Sequence, residues 1–214
     1  RYTLKPEEIY LETPDFIVVI KPAGLTTVPD RSNATYNLQK SVESYLCKTK
    51  KGYQPQPINR LDFMVAGLVL FTKHKQAEKI LFALMKAGKI KKAYTAILEK
   101  RPGVEYKNCL RIQDYIGFRK KAFVTTEPSD DSLKPTHSLF VKKEETEKTV
   151  KYTVILLTGK RHQIRIHSST YLSPICGDDL YGSKIKYDDY HTDLYCTALN
   201  FTYNNTRYRL RKTY

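Results

Sequence analysis

Short apolar runs, each cut off by glycine, proline or a polar turn, constrain this chain more than any other feature. Residues 15–21 are apolar and β-branched and are stopped by Pro22 and Gly24, so they read as a strand entering a turn. Residues 68–72, 94–98 and 150–157 read as strands too. Between about 105 and 157 several short antiparallel strands are expected, separated by polar turns at 127–134 and 142–148. Residues 195–203 and 207–211 form a closing hairpin that turns at Asn204-Asn205. Helical spacing is confined to three places. Leu38, Val42, Tyr45 and Leu46 mark residues 35–48. Ala77, Ile80, Leu81, Leu84 and Met85 make the clearest stripe, with Gly88 as its C-terminal stop. A further helix is expected at about 161–171, after the break at Gly159. Residues 48–57 are polar, carry two prolines and read as a loop. Strands outnumber helices and do not alternate with them, which excludes a doubly wound parallel sheet. The expected class is α+β: a mixed, mainly antiparallel central sheet flanked by helices.

Charge narrows the partners. Lys plus Arg total 37 against 22 Asp plus Glu, a formal balance of +15 in 214 residues. Such an excess repels itself in a compact chain and suits a polyanion, with nucleic acid first and an anionic membrane surface second. No apolar stretch approaches the roughly 18 residues needed to span a bilayer. Cys47, Cys109, Cys176 and Cys196 lack the paired spacing of a zinc knuckle or redox motif, so reduced thiols in a cytoplasmic protein are expected. The length suffices for one substantial domain or two small lobes sharing a core.

Several chemistries are missing. There is no Gly-rich phosphate loop and no serine nucleophile elbow. His162 and His167 are five residues apart, which does not put two metal ligands on one helical face. Three places do combine polar residues with tight punctuation. In Asn59-Arg60-Leu61-Asp62 an acid sits just before a buried strand that passes through Gly67. A lone Asp there is ordinarily a turn or cap. Thr158 to His167 holds Lys160, Arg161, His162, Arg165 and His167, and as a helix it would put Arg161 and Arg165 on one face. Its plainer reading is a solvated basic face or a phosphate clamp. Lys91-Lys92-Ala93-Tyr94 starts a strand with two cations and a tyrosine, ordinarily half-buried.

Together these segments resemble the RluA-type RNA pseudouridine synthases. Arg60-Leu61-Asp62, Gly67 and the apolar strand ending at Lys73 look like that family's catalytic motif. Ile20-Lys21-Pro22-Ala23-Gly24-Leu25 is similar to its first motif, and Lys92-Ala93-Tyr94-Thr95-Ala96 to the strand bearing its tyrosine. Thr158 to His167 resembles its arginine motif, and Pro174 to Asp178 with Tyr181-Gly182 the segment after it. The chain departs from the family in having Asn59 in place of His, and Val65-Ala66 in place of Thr-Ser. Both departures fall where residues shape the loop around the aspartate.

The resemblance implies a pseudouridine synthase fold with a basic active-site cleft, and isomerisation of uridine in ribosomal or transfer RNA without cofactor or metal. It implies Asp62, Tyr94 and Arg165 as the catalytic set, with Arg165 beside Asp62. It implies RNA contacts from Arg60, Lys21, Lys92, Arg161, His162 and Gln163. Basic clusters at 89–92, 119–121 and 207–212 are expected to hold phosphates. Residues 1–214 are expected to form one catalytic domain, with too few residues before the first motif for a separate RNA-binding domain, and to act as a monomer. Two other readings stand beside this one. A non-catalytic RNA-binding protein on the same fold is kept open by Asn59 and Val65-Ala66. A carboxylate hydrolase would ordinarily need paired acids, and Asp178 and Asp179 read more simply as turn residues.

Overall fold

A computed structural model of the chain describes residues 2–30, 34–49, 51–118, 122–127 and 133–214. The basic cluster 119–121 and the middle of the expected turn at 127–134 lie outside the described residues. In chain order the strands are β1 (Ile9–Glu12), β2 (Phe16–Lys21), β3 (Gln56–Pro57), β4 (Ala66–Thr72), β5 (Lys91–Glu99), β6 (Cys109–Phe118), β7 (Ala122–Thr125), β8 (Lys134–Glu145), β9 (Thr149–Leu156), β10 (Leu194–Tyr203) and β11 (Thr206–Arg211). The helices are α1 (Leu38–Leu46), α2 (Lys75–Lys86) and α3 (Gln163–Tyr171). This is the expected α+β class, with mainly antiparallel pairing. The chain divides into two compact units, residues 1–90 with 196–214, and residues 91–195.

In the first unit the strands run β1-β2-β4-β10, with β3 added to β4 and β11 to β10. β2 pairs antiparallel with β4 from Phe16 opposite Thr72 to Lys21 opposite Gly67. Both faces of β2 are covered, which is why Phe-Ile-Val-Val-Ile reads as a continuous run rather than an alternation. α2 lies against β4 and buries Ala77 and Leu81. It ends as its sequence predicts: Gly88 is left-handed at φ +65°, its N–H donates to Met85, and the Lys89 N–H reaches back to the Leu84 carbonyl. The β10–β11 hairpin closes through Asn204 and Asn205, both left-handed, as a two-residue primed turn requires.

In the second unit the order is β5-β9-β8-β6-β7, antiparallel throughout. β9 alternates half-exposed and buried residues, so one face of this sheet is the core. α3 packs across β7 and β8.

Three sequence expectations need correcting. The loop assigned to residues 48–57 gives up its last two residues to β3, which pairs with β4. The turn assigned to 142–148 is narrower, because β8 continues to Glu145 around a bulge and places its charged side chains at the exposed end of the sheet. Arg161 precedes α3 rather than joining it, since His162 at φ +55° caps the helix in a left-handed conformation. Arg161 and Arg165 are therefore not neighbours on one helical face.

Candidate active site

The segment leading into β4 is fixed almost atom by atom. Ile58 still pairs with Leu70 through its N–H. The next residue extends that ladder with its side chain. Asn59 donates from Nδ2 to the Leu68 carbonyl at 3.0 Å and accepts from the Leu70 N–H at 2.9 Å. A planar carboxamide offers a donor and an acceptor as a peptide unit does, so the backbone can turn away while β4 stays satisfied. Leu61 is clamped next, its N–H and carbonyl both bonded to the Thr27 hydroxyl. Asp62 follows, half-buried, opening a turn closed by the Val65 N–H on the Asp62 carbonyl. Gly67 begins the tight part of β4 at φ +130°. A Cβ there would stand 2.5 Å from the backbone N and O of Cys196, so only glycine lets β10 approach.

Beneath this turn lies Lys21, with no exposed surface. Its Nζ donates to the carbonyls of Pro22 (2.8 Å), Leu25 (2.6 Å) and Phe63 (3.3 Å). Gly24 adds a bond from its N–H to the Phe63 carbonyl. The first motif is thus tied to the residue directly after Asp62. Burial pulls the Lys21 ammonium down to about 7, against the opposing pull of the Asp62 charge. The expectation that Lys21 contacts RNA fails on this geometry. Its donors are spent on carbonyls and its surface is closed, so it serves as an internal brace that feels the charge of Asp62.

In the second unit Gln163 does similar work for the arginine motif. Its Oε1 accepts from the Thr158 hydroxyl and the Lys160 N–H, and its Nε2 donates to the His137 carbonyl and the Ser138 hydroxyl. Buried and fully bonded, Gln163 joins the basic turn to β8 and has no group left to read RNA, which corrects its sequence assignment. His167, two turns into the motif, is wholly buried between Ser138 (2.9 Å) and Asp114 (3.0 Å), and Asp114 also accepts from the Thr136 and Tyr171 hydroxyls. Desolvation holds the His167 imidazole below its ordinary value in spite of the nearby carboxylate.

Arg165 is aimed by an ion pair. Its Nε and Nη2 donate to the two carboxylate oxygens of Asp178 at 2.7 and 2.8 Å, and both side chains are buried. The Tyr181 ring lies 5.1 Å from the guanidinium carbon, and its hydroxyl meets His162 Nδ1 at 2.8 Å. Sequence reading left Asp178 as a turn residue. A carboxylate thirteen positions from its guanidinium carries no local signature, and the one hint was Gly177 directly before it. Gly177 is left-handed at φ +81°, with Tyr187 and His191 where a side chain would go.

The remaining expected residues are placed as follows. Tyr94 is buried on β5 opposite Val154. Lys92 lies two positions earlier, and its Nζ is 2.9 Å from where a Cβ on Gly159 would be. Arg60 is exposed beside Asp62, and Arg161 is exposed ahead of α3. Asp62, Arg60 and Lys21 belong to the first unit; Tyr94, Lys92, Arg161, His162, Gln163 and Arg165 belong to the second.

The profile of the RNA pseudouridylate synthase family matches residues 15–170, from the start of β2 nearly to the end of α3. The chain belongs to this family. A dual-specificity RNA pseudouridine synthase, RluA of Vibrio cholerae, is 32% identical over 179 residues, covering 81% of this chain and 68% of the relative, so the chain falls in the RluA-type branch of the family. Two RNA pseudouridine synthases of Bacillus subtilis described as uncharacterized, YjbO and YhcT, are each 26% identical. The chain spans 61% and 59% of their lengths. Among solved structures, human RNA pseudouridylate synthase domain containing 1 superposes with a TM-score of 0.76 at 21% identity, over 97% of this chain and 83% of that one. Human RNA pseudouridylate synthase domain containing 4 gives 0.77 at 16%, over 97% and 88%. Both share the synthase fold. No helix among the described residues is long and apolar enough to cross a membrane.

Proposed function

We propose that this synthase converts uridine to pseudouridine in structured RNA, ribosomal or transfer, with Asp62 as the essential carboxylate. The observation that carries the reading is the loop of Asp62: a half-buried acid whose flanking residues are bonded by Thr27, Lys21 and Gly24, with the Lys21 ammonium buried nearby. A turn built only to connect two elements needs none of this.

The reaction is an isomerisation. The bond from uracil N1 to ribose C1′ breaks, the base turns, and a bond from C5 to C1′ forms. The C5 hydrogen leaves and N1 gains one, so atoms balance without a co-reactant. Attack at C1′ and proton abstraction at C2′ both call for an ionised carboxylate, and Asp62 supplies it. Arg165, aligned by Asp178, gives the positive charge that favours that ionised form, and Tyr94 stacks on the everted uracil. Eversion costs a few kcal/mol of unstacking, which stacking of about 1–3 kcal/mol per base helps to offset. Arg60, Lys92 and the basic residues at 89–92 and 207–212 hold the distorted backbone. The synthase acts in this reading as a cytoplasmic monomer.

The test is chemical mapping of pseudouridine in cellular RNA exposed to the purified protein. The wild type installs the modification and Asp62→Ala does not. Arg165→Met loses rate well beyond its loss of RNA affinity. RNA binding by the wild type with no product would instead select the non-catalytic reading.

A further inference from the structure

The mechanism leaves one exposed cluster of the second unit unused. Phe118, the last residue of β6, shows 48% of its surface to solvent, unusual for a phenylalanine on a sheet. It is not isolated. The guanidinium carbon of Arg161 lies 5.9 Å from the Phe118 ring centroid, and the His162 ring meets it edge-on at 6.5 Å. Arg161 is itself exposed, and among the described residues no carboxylate pairs with it. Lys160, one position earlier, is exposed too. An apolar ring left in water beside an exposed planar cation contributes little to folding.

What such a cluster fits is a nucleobase. A base has a flat π-face for the phenyl ring and the guanidinium plane, and its phosphate brings negative charge to the exposed Arg161 and Lys160. The cluster is also continuous with the arginine site. His162 bonds the Tyr181 hydroxyl, and the Tyr181 ring carries the Arg165 guanidinium that Asp178 aims. A base seated on Phe118 would therefore reach the protein a few residues from Arg165 along one connected set of side chains.

We propose that Phe118 and Arg161 form a stacking platform for one unpaired nucleotide of the RNA substrate, distinct from the uridine that reacts. This deepens the synthase reading and rests on it. The platform acts on recognition: it holds a neighbouring base out of the RNA stack, so it selects substrates with an unpaired nucleotide at a fixed distance from the target.

The test pairs protein variants with a short stem-loop RNA series carrying one abasic site at each loop position in turn. Affinity is read by fluorescence anisotropy and KM and kcat by product formation. Phe118→Ala should raise Kd and KM roughly tenfold, in the range set by loss of one base stack, with the change falling on KM more than on kcat. One abasic position should weaken the wild type by a similar factor and leave Phe118→Ala unaffected. Phe118→Trp should retain binding. Phe118→Leu keeps apolar bulk without a ring and should behave as Ala does, and thermal melts of each variant separate this from misfolding. The proposal is overturned if Phe118→Leu binds as the wild type does, or if no abasic position couples to Phe118. A wild type that shows the coupling but forms no pseudouridine would refute the catalytic reading and leave the platform standing.

Discussion

At the scale of single residues, two buried groups carry the environment of Asp62. Asn59 gives β4 both a donor and an acceptor from one short planar group. The departure from the family pattern is therefore compatible with a formed loop. Lys21 is the costlier device. Its buried ammonium faces three carbonyls, and an ammonium has three N–H donors where a neutral amine has two. Lys21→Met should destabilise the protein by about 2–3 kcal/mol at high pH, where the amine is neutral in both states and its loss leaves buried carbonyls unpaired. The pH dependence has a definite sign. The folded value near 7 lies below the ordinary 10.5, so the unfolded chain binds the extra proton between the two. The stability of wild type relative to Lys21→Met is then highest above 10.5, falls by at most about 1.4 kcal/mol per unit as pH falls, changes sign within that window, and is constant below about 7. Urea unfolding of both proteins from pH 6 to 10, in steps of about one unit, measures it. A constant difference over that window would show that Lys21 keeps its ordinary value.

At the scale of elements, two glycines show how the same substitution can mean different things. Gly88 ends α2 in open space at φ +65°, so Gly88→Ala meets only the left-handed penalty of about 1 kcal/mol. Gly67 combines φ +130° with backbone of β10 at 2.5 Å, so Gly67→Ala should cost about 3 kcal/mol or more and displace the loop that holds Asp62. Urea midpoints of the two variants should differ accordingly, and equal losses would contradict the close approach. The two sites also mark how far the sequence could be read. The stripe and stop of α2, the apolar runs of β2 and β4, and the Asn204-Asn205 turn are local patterns, and each is found where its pattern puts it. β1 and β3 are too short to announce themselves and exist because β2 and β4 offer edges. The start of α3 was misplaced because nothing local shows that His162 turns left-handed. For the site, motif order singled out the segments that carry Asp62 and Arg165. The Arg165–Asp178 pair and the carbonyl cage of Lys21 were not legible, since both join residues that only the fold makes neighbours.

At the scale of the molecule, the +15 of formal charge is what the proposed RNA substrate would meet first. Part of it is ordered. Arg207, Arg209 and Arg211 are exposed along β11, alternating with half-buried Tyr208 and buried Leu210, so three guanidinium groups line one face. RNA affinity should fall steeply with salt, and replacing all three with Ala should flatten the log–log slope by about 2, at roughly 0.7–0.9 per phosphate contact. An unchanged slope would remove β11 from the RNA surface. In the proposed function charge brings RNA to the protein and the chemistry comes from one carboxylate. The most direct test uses RNA labelled with tritium at uridine C5, because isomerisation must release that hydrogen to water. Under single-turnover conditions the wild type should release tritium in step with pseudouridine formation, and Asp62→Asn should bind the same RNA with similar affinity and release none. Tritium release by Asp62→Asn at a rate near that of the wild type would contradict the assignment of Asp62.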